Sequence, residues 1–213
     1  MNRVSIALSS AALLVASLVS QGVANPGQNS SRTAYLVWIL GSRIGWAAAL
    51  YAQGHDQQQV DKFLAEPRQA AAELGTQIPP FPSRSDSGIP DRAAMLNYLT
   101  GDDGGCAFLA RWISHRYPKD DKVYQALFEL GIKLGVVTLQ AYTPNGGMGE
   151  SMANVVADRA KKAGLPENIW SPTVQKLKEN APREDVKAAT AKMYEDIDKY
   201  LSQGLSLKPS QLD

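Results

Sequence analysis

Cysteine occurs once in the 213 residues, at Cys106, and histidine twice. A single cysteine cannot close a disulfide within the chain, so the folded state must rest on a hydrophobic core. Zinc sites ask for about three or four clustered His, Cys or acidic ligands. His55, in GHDQQQ, has only Asp56 beside it, and His115 lies near Arg111 and Arg116. CxxCH, HExxH and GxSxG are all missing, and with them the signals for covalent haem, a helix-borne zinc protease and a nucleophile elbow. Cys106 itself is preceded by Asp102 and Asp103, which oppose a thiolate. A small buried thiol is the expectation, because free cysteine behaves as a hydrophobe. These absences predict no catalytic set, no metal and no cofactor.

Charge of one sign is lacking too. The formal net charge is +1, and aromatic residues do not interleave with basic clusters. Nucleic acid and anionic membrane surfaces are therefore not expected partners. Strand signals are scarce as well, with no period-two run rich in β-branched residues.

What is present begins with MNRVSIALSSAALLVASLVSQGVA, a charged start, an apolar stretch and a small-residue end at Ala24. This is the three-part pattern of a secretory signal peptide. Its apolar run is short for a bilayer span of roughly 20 residues, and serines dilute it. The sequence thus predicts a signal peptide over 1–24, an exported protein (periplasmic or secreted), and no stable membrane span after its removal. About 190 residues remain, enough for one domain with its own core. Residues 25–32 read as a flexible polar leader and 205–213 as a tail.

Between them nearly every segment reads as helix. The expectation is a single all-α domain over 33–204, a multi-helix bundle of about six to eight helices. A first helix runs from Thr33 to Gly54, and only Ser42 and Arg43 are polar between Tyr35 and Ala52. A helix apolar on all sides crosses a membrane or fills a core. A second such helix, about Asp120 to Tyr142, repeats its signature: LGSRIG at 40–45 returns as LGIKLG at 130–135. That copy carries Gln125, Glu129, Lys133 and Gln140, which a bilayer tolerates poorly, so both are read as core helices.

The downstream order also recurs. One helix follows Asp56 and stops at Gly75, and another follows Gly149 and stops at Gly164, glycine being the residue that accepts a left-handed helix cap. Pro67 predicts a kink or two shorter helices in the first. Segments closing with NYLTG and KYLSQG complete each half. Within the second proline-marked connection a short helix is expected, with Ser171 as N-cap and Pro172 at its first position. The chain reads as repeat one over about 33–101, a linking helix over about 105–117, and repeat two over about 119–204. Gly41 and Gly45 share one helical face, as do Gly131 and Gly135, and the two faces are expected to form a close crossing.

GDDGGC (101–106) and TPNGGMGE (143–150) are glycine-rich turns leading into helices, whose amides could receive an anion. Neither matches a phosphate-loop pattern. Arg43 and Lys133 occupy matching positions and are the candidate ligand-binding residues. Lys133 has Glu129 one turn earlier as a local partner, whereas Arg43 has none. Arg43 must therefore find a carboxylate on another helix, reach solvent, or meet an acidic ligand. The leading functional expectation is a non-enzymatic exported helical protein of the cell envelope, acting by binding or structural association with an unknown partner. The alternative is a small-ligand carrier or sensor with a pocket between the two halves. Arg43 and aromatic side chains around a pocket would mark that alternative, and a filled core with an exposed apolar patch would mark a protein partner.

The Ala24–Asn25 junction generates the first prediction. N-terminal sequencing of the exported product should start at Asn25, and an intact Met1 on a membrane-bound form would contradict it.

Overall fold

An all-round apolar helix has to be surrounded, and α1 (Pro26–Ala52) is. Val37, Trp38, Leu40, Ile44, Ala47 and Ala48 are completely buried. By length and composition alone the stretch Ser31–Ala52 could cross a membrane, yet in the folded chain it packs mainly against two other helices. The computed structural model describes residues 26–85, 88–141 and 149–203. The expected signal peptide, most of TPNGGMGE and the C-terminal tail lie outside these residues. The expected leader, in contrast, is largely helical: α1 begins at Pro26, well before Thr33. Proline suits a first helical position because its missing N–H has no intrahelical partner there.

The described residues contain α-helices and no strand. After α1 come α2 (Gln57–Leu74), α3 (Arg92–Thr100), α4 (Gly105–Arg116), α5 (Asp121–Ala141), α6 (Gly149–Lys162), α7 (Glu167–Lys178) and α8 (Arg183–Ser202). Local chemistry sets several of these ends. Asp56 accepts the Gln59 amide at 2.8 Å and starts α2, and Asp91 does the same for the Ala94 amide at 2.8 Å in α3. Each such cap contributes about 1 kcal/mol. Gly75 and Gly164 follow α2 and α6 with φ of 85° and 71°, the left-handed conformation that the stop requires.

At Pro67 the two-helix alternative fails, and so does the expected helix start after Ser171; in both places burial overrides the local rule. Pro67 does not divide α2, which is one helix with the Pro67 ring buried in the core. In the second half α7 starts at Glu167 rather than after Ser171, so Pro172 lies inside it. Ile169 and Trp170 are buried, and the Trp170 indole donates to the Leu165 carbonyl at 3.2 Å. That anchors an extra turn ahead of the proline.

Among its described residues the proline-marked connection after α2 has no regular structure but is held down by aromatic side chains. Tyr98 donates its hydroxyl to the Pro79 carbonyl at 2.8 Å, and Tyr51 donates to the Ser83 carbonyl at 3.2 Å. Phe81 meets the Tyr98 ring edge-on, with centroids 4.9 Å apart. Arg84 covers the Tyr51 ring at 4.7 Å.

At the centre α1 and α5 touch backbone to backbone. A Cβ placed on Gly45 would stand 2.8 Å from the Gly131 carbonyl oxygen and 3.1 Å from the Gly135 Cα. One placed on Gly41 would collide with the Phe128 carbonyl, and one on Gly131 would lie 2.7 Å from the Gly41 carbonyl carbon. On Gly135 it would run into Gly45. The register climbs together on both helices, so they cross running in the same sense. Around this pair, α2 packs on α1 and α6 on α5, while α3 and α8 each touch both central helices.

Any side chain at these glycines must push two backbones apart. Overpacking of this kind costs about 1–3 kcal/mol, whereas an exposed Gly→Ala change gains roughly 1 kcal/mol in helix propensity. Gly45→Leu and Gly135→Leu should each lower the denaturant midpoint, and the double variant should be non-additive because both strain one contact. Neutral or stabilising single variants would show that the helices do not rely on this approach.

Candidate functional site

The two cations that share a sequence position end in different surroundings. Arg43 leaves α1 between α2 and α8. Its Nε donates to Glu66 at 2.8 Å and its Nη2 to Asp198 at 2.7 Å. The other Asp198 oxygen accepts the Trp38 indole N–H. Tyr194, fully buried beside them, has its ring 5.5 Å from both Trp38 and Trp46 and donates its hydroxyl to the Gly131 carbonyl at 3.1 Å. Burial opposes the Arg43 charge, but Asp198 and Glu66 outweigh it and hold the guanidinium charged more firmly than in water. Burial, against a lowering by Arg43 and with a smaller push from Asp198, keeps the Tyr194 hydroxyl protonated well above its ordinary range. Of the fates open to Arg43 from sequence, the structure displays the carboxylates from other helices. Arg43 still lines a shallow groove of about 410 Å³ with Trp46, Leu50, Lys62, Phe63 and Glu66.

Lys133 behaves otherwise. Its expected partner, Glu129, is turned to Arg159 of α6, the two forming an ion pair with Nε and Oε2 2.5 Å apart. Guanidinium competes well for a carboxylate because it offers a planar fork of donors. Among the described residues Lys133 makes no ion pair or hydrogen bond. It is half-buried on the wall of a second cleft, also about 410 Å³, bounded by the end of α3, by α4, α5 and α6. Phe128, Ile132 and Cys106 form an apolar floor and are almost wholly buried. Arg111 and Asp102 stand at the rim, the guanidinium donating to the Asp102 carbonyl at 2.7 Å. Burial pushes the Cys106 thiol far above its ordinary value, against a smaller lowering by Lys133.

The turn GDDGGC, noted in the sequence as able to receive an anion, supplies Gly101, Asp102 and Cys106 to this cleft. Sequence reasoning missed Arg111 and Arg159, which no local spacing connects to Lys133. A third hollow, about 520 Å³, lies between α6 and α7, but its Lys161 already covers the Trp170 ring at 5.4 Å. His55 pairs its Nδ1 with Gln59 at 3.1 Å, and His115 is exposed. No group of three or more His, Cys, Asp or Glu that could hold a metal occurs among the described residues. Comparison with known protein families, characterised proteins and solved structures finds no match.

The contrast between the two cations is measurable. Arg43→Met strips a donor from two carboxylates and should cost about 1–3 kcal/mol of stability, moderated by their partial exposure. Lys133→Met removes a half-buried charge without a partner and should change stability by less than about 0.5 kcal/mol or raise it. Denaturant unfolding of both variants checks this, and equal losses would contradict the assignment.

Proposed function

We propose that this chain is an exported, non-enzymatic helical protein of the cell envelope that acts by binding, and that it binds a small molecule in the cleft at Lys133. The observation that carries the reading is the cation itself. A half-buried ammonium on an apolar floor, with its neighbouring carboxylate committed elsewhere, is an unfavourable arrangement for a protein with nothing to put there. The cleft volume of about 410 Å³ falls in the range of small-molecule sites. An enzyme is disfavoured because no nucleophile and base converge on the cleft: its cysteine is buried and held protonated.

The same reading takes the chain as two degenerate copies of a three-helix unit. Matching glycine pairs and matching neighbours of α1 and α5 support it. Arg43 and Lys133 are then counterparts that diverged, one copy keeping its cation as a clasp and the other freeing it for a ligand. A second reading, association with a protein through the groove beside Arg43, draws on Phe63, which is exposed there beside Trp46.

Native mass spectrometry of the processed protein, purified gently from its own cells, separates the readings. A discrete added mass below about 500 Da is expected for a ligand of this cleft. Bare monomer, or a stable complex with a second protein and no small-molecule increment, would reject it.

A further inference from the structure

We infer that the cleft at Lys133 selects an organic monoanion with an apolar body, a monocarboxylate. This rests on the binding role proposed above and adds the class of ligand. The head group follows from counting charges. The lining holds Arg111, Lys133 and Arg159 against Asp102 and Glu129. Arg159 and Glu129 neutralise each other, Arg159 also meeting Asp158 at 2.8 Å. At the rim Arg111 donates to the backbone carbonyl of Asp102 and not to its carboxylate, so the described lining holds three cations against two carboxylates, a net charge of +1, with Lys133 the half-buried cation that has no ion pair. One ammonium balances one negative charge. A dianion such as a phosphate monoester would bring a surplus charge against Asp102 and Glu129, and desolvating an unpaired charge is costly.

The body follows from the floor. Phe128 and Ile132, which precede Lys133 on α5, form a floor that is already buried, and the half-buried Ala107 and Ala110 of α4 face the same space. A ligand seated there takes its own apolar body out of water while its carboxylate reaches the ammonium. A neutral ligand of the same shape gains the floor but leaves Lys133 unbalanced.

The test uses the full processed protein and three probes that differ only at the head: octanoate, octanol and octyl phosphate. Isothermal titration should show octanoate binding more tightly than either of the others, with affinity falling as salt rises. Lys133→Met should weaken octanoate about tenfold or more, while Lys133→Arg should stay within about threefold because it keeps the charge. Lys62→Met, in the groove beside Arg43, should change nothing. Octanol binding as well as octanoate, octyl phosphate binding more tightly, or Lys133→Met binding unchanged would each overturn the monoanion. Failure of all three probes while the native protein carries a bound mass would remove the ligand class and leave the binding role. Failure of the probes together with a bare native protein would remove both.

Discussion

Everything in this protein is arranged around a contact that has no side chains in it. Where α1 and α5 cross, Gly41 and Gly45 face Gly131 and Gly135, and the two backbones are in van der Waals contact. Burying the apolar faces of these two helices against each other supplies the driving force. The missing Cβ atoms set how close that burial can come. The remaining helices take their places from this pair, α2 and α6 on its flanks and α3 and α8 against both members. The short distance between the central axes also decides what lies beside them. Arg43, one residue short of the crossing face, meets carboxylates on α2 and α8, and Lys133 opens onto the space that α3, α4 and α6 leave.

Much of this architecture can be read from residues close together in the chain. Helix ends marked by Asp56, Gly75 and Gly164 are local chemistry, and they are where the sequence places them. The glycine faces are legible because helical geometry alone brings residues four apart to one side. Failures occur where a distant element decides. Pro67 looks like a break until the core that holds its ring is known. Glu129 looks like the partner of Lys133 at the favourable helical spacing. Only the fold brings Arg159 to it, and a stronger donor then takes the carboxylate.

The candidate site shows the same division more sharply. That Arg43 needed a counter-charge followed from its apolar neighbours, but Glu66 and Asp198 lie far from it in sequence. Arg43 meets carboxylates on other helices, one of the outcomes its apolar neighbours left open, whereas Lys133 loses the partner its helical spacing offered. For Lys133 the nearest carboxylate in sequence is not the operative one. For an exposed helix pair worth a few tenths of a kcal/mol, any better-oriented donor from another element is enough to reverse the pairing.

The parallel sense of the crossing also orders events in time. Two helices that run side by side in the same direction cannot be joined by a tight turn. Here the chain travels through α2, α3 and α4 before α5 arrives. The largely buried α1 is therefore made well before its main covering. Until α5 has been synthesised, α1 can recruit α2, but its glycine face has nothing to meet. Packing of the glycine faces thus waits until the chain has been made through Ala141 of its 213 residues, with the entropy of closing a long loop opposing any earlier commitment. A ribosome-bound fragment ending before α5 would present an uncovered apolar helix to whatever chaperone or membrane it encountered.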